Sequence, residues 1–323
     1  MEAIKSNLSF DVIIDAVSRC AEAHALERRG EYEQARLCLS SLFPARMGDE
    51  PTAEGLPLDT RAEVYLRCGA ITTCLASARA IAEGQAIARR LLEYALGLFE
   101  ALGNRNKESE ALTAIGATYW REGNTAEADQ FFERASIRAD EDEFKAAALI
   151  ARAILDRPVD PDRSLRYLSI AASFVHENNH YIAGTYYNTL AFTYHILGEA
   201  TDSPENYQIA IIHATGACFH FEKLGHRRYL ARARNVLGNL YRLTGQHAEA
   251  SEHLRQALRI AESLKDRTLA GQIYDTIAQN LRDQGRIPEA EKASRNAIRL
   301  LEDSGERKPL AEAYRTLASI LDL

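Results

Sequence analysis

The 323-residue chain reads as an all-α solenoid of about seven helix-turn-helix repeats followed by a single terminal helix. Three observations predict this. A motif built round a small residue recurs: Leu237, Gly238, Tyr241, Gly245, Ala250, Leu254, Ala257, then Ile277, Ala278, Leu281, Gly285, Ala290, Ser294, Ala297, and earlier Ile115, Gly116, Tyr119, Gly123, Ala128, Phe132, Ala135. A fixed offset of 122 positions relates Phe99, Gly103, Gly116, Gly123 and Ala135 to Phe221, Gly225, Gly238, Gly245 and Ala257 without a gap. Hydrophobic residues make up 46% of the chain, with Ala and Leu prominent and only eight prolines. Self-similarity at a period near 40 residues denotes stacked supersecondary units that share a continuous seam.

The units follow in order. Within each, the first helix carries a large apolar residue, a small one and another large one a turn later; the small one admits the second helix. A Gly seven residues on ends the first helix, because glycine accepts positive φ at little cost. The second helix shows Ala, a large residue and Ala on one face. The first unit spans 10–43, on Ala23, Leu26, Gly30, Ala35 and Leu39. The segment 44–60 holds Pro51 and Pro57 and is expected to be an irregular loop. The second unit, 61–104, and the fifth, 181–226, space the small residue and the Ala by 19 positions (Gly69 to Ala88, Ala191 to Ala210) where the others have 12, so both carry the same extension between their helices. With the 122-residue offset, this implies duplication of a three-unit block. The third unit spans 108–140. The fourth, 144–178, lacks the Gly and has Pro158 and Pro161 at its turn. The sixth and seventh are 229–265 and 269–304, and the terminal helix is 309–321. Its apolar end, Ile320, Leu321 and Leu323, calls for a covering surface: a further unit, or another copy through self-association.

The Gly-Tyr-Gly-Ala-Ala order of 116–135 and 238–257 resembles the tetratricopeptide-repeat family in its longer, roughly 40-residue form. The resemblance runs over nearly the whole chain. It implies a right-handed superhelix whose first helices line a groove for a peptide or partner protein, without catalysis and without a cofactor. On that frame, the groove positions are Asn188, Phe192 and His195 in the fifth unit, with Thr185; Arg232, Asn235, Asn239 and Arg242 in the sixth; Gln272, Asp275, Gln279 and Arg282 in the seventh; and Arg315, with Ser319, on the terminal helix. The third unit adds Glu110, Thr113, Ala117 and Trp120. Asn and Gln donate and accept together, which suits a peptide backbone; Arg forks a carboxylate. Kinesin light chain and bacterial peptide-pheromone receptors use comparable grooves, so the resemblance points to a sensor, adaptor or regulatory arm of a bacterial signalling or transcription system. Opposed to all this is the plain alternative that a helix needs a polar face in any case.

Charge sharpens the expectation. The net charge is −7, yet residues 227–323 hold 17 Lys and Arg against 13 Asp and Glu. An acidic chain is a poor nucleic-acid binder, while its basic last third suits an acidic partner or one with a free C-terminal carboxylate. Five cysteines without a Cys-x-x-Cys pair, and the lack of a membrane-length apolar run or of a signal-like start in 1–15, point to a reducing, cytoplasmic setting. His176-Glu177-Asn178-Asn179-His180 spells the H-E-x-x-H zinc signature, which would make a metal-dependent hydrolase only if both His lay on one helix. The paired Asn residues instead favour a polar turn between units. No nucleophile elbow or phosphate loop occurs.

Overall fold

The computed structural model describes residues 9–44, 46, 49–79, 81, 83–302 and 307–322. Among them there are fifteen α-helices, one short 3-10 turn and no strand. The chain divides into two compact units, Met1–Ile182 and Ala183–Leu323.

The first unit holds α1 (Phe10–Arg28), α2 (Tyr32–Cys38), α3 (Leu58–Ala78), α4 (Gly84–Leu102), α5 (Arg105–Glu122), α6 (Thr125–Arg138), α7 (Asp142–Asp156) and α8 (Pro161–Ala171), with the 3-10 turn Ala172–Phe174 after it. α9 (His180–Thr201) starts at its end. The second unit continues with α10 (Pro204–Leu224), α11 (Arg227–Leu243), α12 (His247–Ser263), α13 (Arg267–Asp283), α14 (Ile287–Glu302) and α15 (Arg307–Leu321). Helices neighbouring in sequence pack in pairs: α3 on α4, α5 on α6, α7 on α8, α11 on α12 and α13 on α14. α3 begins at Leu58, so the expected loop is three residues shorter at its end, and α15 begins two residues before 309. In the fifth pair the extension lengthens the helices, α9 and α10 running 22 and 21 residues against 18 and 14 for α5 and α6, whereas in the second pair it is divided between the helices and a connection of five residues, 79–83, where α5 and α6 are joined by two. The duplication is visible in the helix starts, since α3, α5 and α6 begin at 58, 105 and 125 and α9, α11 and α12 at 180, 227 and 247.

Three of the pairs close on a small residue. A Cβ on Gly238 would lie 2.6 Å from Leu254 Cγ and 3.3 Å from the Ala250 carbonyl oxygen. On Gly116 it would lie 2.5 Å from the Phe132 ring and 3.2 Å from the Ala128 oxygen, and on Gly69 2.6 Å from Leu92. Where Ala278 supplies the methyl group instead, the facing position is Ser294, which is fully buried. The volume added on one helix is removed from the other, as close packing requires.

Three of the joints between pairs, α4–α5, α10–α11 and α12–α13, also share one construction. Gly103, Gly225 and Lys265 all take positive φ, and the next residue caps the following helix. Asn104 Oδ1 accepts from Lys107 N (3.1 Å), His226 Nδ1 from Tyr229 N (3.3 Å) and Asp266 Oδ1 from Leu269 N (3.1 Å). Each satisfies a backbone donor that the first helical turn leaves open. In the fourth pair, Asp160 caps α8 and Pro161 occupies its first position, where a missing N–H costs nothing. His226 is buried, its ring stacked 3.8 Å from that of Tyr229. Burial holds its pKa down at about 4.

Two outcomes are expected. Gly238→Leu and Gly116→Leu should each destabilise the fold by about 1–3 kcal/mol or more, whereas Gly238→Ala with Leu254→Ser should cost less than the sum of its two single substitutions; urea melts of the four proteins measure this. Because His226 titrates lower in the folded chain than its ordinary 6.5, its contribution is complete above pH 6.5 and is lost as pH falls from there towards 4. His226→Asn should keep the cap and flatten the pH dependence of the melting temperature over that interval.

Candidate functional site

Taking the small residue of each first helix as origin, the expected groove positions of the second unit fall into four rows. Arg232 and Gln272 lie six residues before it, Asn188, Asn235, Asp275 and Arg315 three before, Phe192, Asn239, Gln279 and Ser319 one after, and His195, Arg242 and Arg282 four after. The last two rows are stitched together across the helices. The Asn239 amide donates to His195 Nε2 (3.3 Å), and Arg242 Nε donates to Asn239 Oδ1 (3.0 Å). Arg242 reaches Asp283 on α13 (2.5 Å), and Arg282 pairs with the same carboxylate (2.8 Å). Arg282 also donates to Ser319 on α15 (2.9 Å), and Gln279 donates to Asp275 (2.8 Å) and to Thr316 (3.4 Å). Burial raises the pKa of Asp283, but hydrogen bonds from Arg282 and Arg242 outweigh it and hold the carboxyl below the usual range.

The first two rows are different. Arg232 is exposed and makes no ion pair or hydrogen bond among the described residues. Arg315 is exposed, and its one bond is to the Ala311 carbonyl within its own helix. Asn235 Oδ1 and Asp275 Oδ1 are buried without a donor, and burial pushes the Asp275 carboxyl up. Thus Arg242 and Arg282, expected to face a partner, already share Asp283, while the uncommitted cations are Arg232 and Arg315. Asp283 and Thr316 were missed in the sequence; Asp283 adjoins Arg282, and its charge opposite the recurrent Arg was the available signal. α15 packs on α13 and α14, burying Ala313, Thr316 and Ile320, and leaves Tyr314 and Leu321 outside.

The first unit contains a cluster that the motif did not reveal. Arg67, on α3, is 1% exposed and meets carboxylates from three helices: Glu27 of α1 (2.9 Å), Glu63 one turn before it (3.0 Å) and Glu110 of α5. Lys107 bridges Glu63 and Glu110, each at 2.9 Å, and His24 contacts Arg67. Burial, with the neighbouring Arg67, depresses the His24 pKa to about 3. Burial raises Glu27 to about 7 despite Arg67, and Glu27 Oε1 has no hydrogen-bond partner. Burial would also raise Glu110, but the Arg67 and Lys107 charges bring it well below the usual carboxylate range. So Glu110, expected in the groove, is consumed by a neighbour. Glu63–Arg67 at i,i+4 and Lys107–Glu110 at i,i+3 are ordinary surface spacings in a sequence, which is why the cluster is silent there. Arg28 adds an ion pair with Glu143 of α7 and lies 5.8 Å from the Tyr181 ring centroid.

The H-E-N-N-H segment straddles a turn. Residues 175–179 are outside any helix and His180 opens α9, so its two His do not share a helical face. His176 Nε2 instead meets Asp142 Oδ2 at 2.9 Å. Among the described residues, no group of three or more His, Cys, Asp or Glu is arranged to hold a metal ion, and no helix is long and apolar enough to cross a membrane.

Residues 111–147 and 230–264 each match a model of the tetratricopeptide repeat. The chain carries tetratricopeptide repeats in these two segments. No curated protein matches it by sequence. Its fold is similar to that of a signal-transduction ATPase with a tetratricopeptide-repeat sensor from Pyrococcus horikoshii: TM-score 0.61, 14% identity, 91% of this chain and 43% of that one. It is also similar to the APC/C hetero-tetramer Cut9–Hcn1 (0.65, 16%, 97% and 49%) and to a Rap protein complexed with competence and sporulation factor (0.53, 13%, 95% and 97%). The tetratricopeptide-repeat chain thus spans less than half the length of the first two. Its fold is that of a protein-interaction or regulatory module.

Removing Arg67 would strand buried carboxylates, so Arg67→Met should cost about 3–5 kcal/mol. Arg67→Met combined with Glu27→Gln and Glu110→Gln should cost less, since no charge is then left without its counter-ion. Urea denaturation followed by circular dichroism compares the two.

Proposed function

We propose that this chain is a non-catalytic binding module, the sensor or regulatory arm of a signalling system, and that its second unit holds an extended acidic peptide. The supporting observation is the division of the groove rows. Two are stitched by bonds within and between helices, which also take up Asp275 of a third. The other two hold the exposed guanidinium groups of Arg232 and Arg315 and the amides of Asn188, Gln272 and, with its oxygen buried, Asn235. Amides serve a peptide backbone in both directions, and the exposed cations attract and orient an anionic chain. Similarity to the Rap protein complexed with competence and sporulation factor supports a peptide as the occupant, and the sensor of the Pyrococcus ATPase supports the regulatory role. A cytoplasmic location accords with the reduced cysteines.

The test is fluorescence anisotropy with two fluorescein-labelled random decapeptide pools, one enriched in Asp and Glu and the other in Lys. The acidic pool should bind, more weakly as salt rises, because exposed charges are screened. Arg232→Ala with Arg315→Ala should weaken that binding and leave the melting temperature nearly unchanged, since neither side chain holds another element. Equal binding of the two pools would refute the acidic preference.

A further inference from the structure

The 122-residue offset puts positions of the two units in register, and the helix starts at 58 and 180, and at 105 and 227, keep that register. It equates Arg67 with Thr189, Glu63 with Thr185 and Glu110 with Arg232. In the first unit, this station is a completed ion pair: a guanidinium on the buried floor at 67, and a carboxylate at 110 on the next first helix. In the second unit, the floor position is again fully buried, but Thr189 has no charge and its hydroxyl donates to the Thr185 carbonyl (2.7 Å). Position 232 has the opposite sign to position 110, and its guanidinium is exposed and unpaired. One site, repeated by duplication, is therefore filled from within in one unit and left half-made in the other.

We infer that the second unit leaves to its ligand the carboxylate half of an ion pair that the first unit builds into itself: Arg232 receives an acidic side chain of the bound peptide at the station where Arg67 and Glu110 meet. The amides of Asn188 on α9 and Gln272 on α13 lie on either side of Arg232 in chain order. The peptide backbone has partners beyond the contact in both directions, so the carboxylate is borne in mid-chain and is not the terminal one. Arg forks such a group with two parallel hydrogen bonds. This inference rests on the second unit being a peptide groove, as proposed above.

The experiment separates the two. Without any ligand, Thr189→Arg should destabilise the chain by setting two guanidinium groups together, and Thr189→Arg with Arg232→Glu should restore stability by recreating the arrangement of the first unit; Thr189→Lys with Arg232→Glu repeats the test with a smaller floor cation. If neither double variant melts above the additive expectation from its singles, the equivalence of the stations is wrong. For binding, two labelled decapeptide pools differ only in Glu or Gln at position five. The Glu pool should bind the wild-type chain about tenfold more tightly, Arg232→Gln should abolish the difference, and C-terminal amidation should leave it intact. Equal affinity for the two pools, with both weakened by Asn235→Ala, would overturn the carboxylate station while the groove reading survives. Loss of binding on amidation would overturn the mid-chain assignment. No binding of either pool to the wild-type chain would overturn the groove reading and this inference together.

Discussion

Three of the helix pairs, α3–α4, α5–α6 and α11–α12, depend on one steric constraint: at the small-residue station, the second helix comes so close that a methyl group on Gly69, Gly116 or Gly238 would overlap a side chain opposite. That approach buries the Ala positions on both sides, Ala250 and Ala257 among them, and so makes the seam on which the repeat array is stable. The constraint is on the sum of two volumes rather than on glycine itself. Gly with Leu or Phe opposite and Ala with Ser opposite solve it equally, and this latitude is why the motif looks degenerate along the sequence while the helix pairing stays regular.

This explains how far the sequence carried. Small residues, turn glycines and apolar stripes record constraints within one pair, separated by a dozen or so residues, and they yielded the helices, their order and the duplication. The extension of the second and fifth pairs was legible as a spacing of 19, though not how it divides between helix and turn. The polar chemistry was less legible because its partners lie on different repeats. Arg242 and Asp283 are on successive first helices, as are Arg67 and Glu110. A helical wheel shows that Arg242 and Arg282 share a face with Asn239 and Gln279; it cannot show that one carboxylate satisfies both cations. The basic balance of the last third overstated what is free to bind, since much of that charge is already neutralised at short range.

The stitched rows and the open rows follow from one geometry. Side chains after the small residue of a first helix reach the next first helix, and bonds such as Arg282 to Ser319 are the result. In the second unit Arg232 and Arg315, which lie before it, make no such bond to a neighbouring helix among the described residues. A tetratricopeptide-repeat protein can thus hold its repeats together and keep binding capacity on the same helices, with the two tasks assigned to different turns.

Apolar stripes alone define a pairing poorly. A helix displaced by one turn along a neighbour of similar pattern still finds Ala and Leu opposite its own, and a repetitive chain multiplies such near-equivalent arrangements. Arg67 has no such freedom. Its carboxylates come from α1, from its own helix and from α5, and a slip of a single turn, about 5.4 Å, would leave a buried cation among aliphatic groups at a cost of several kcal/mol. The cluster therefore acts as an indexing pin: the small residues fix how near the helices lie, and one fully buried charged group fixes which turn faces which.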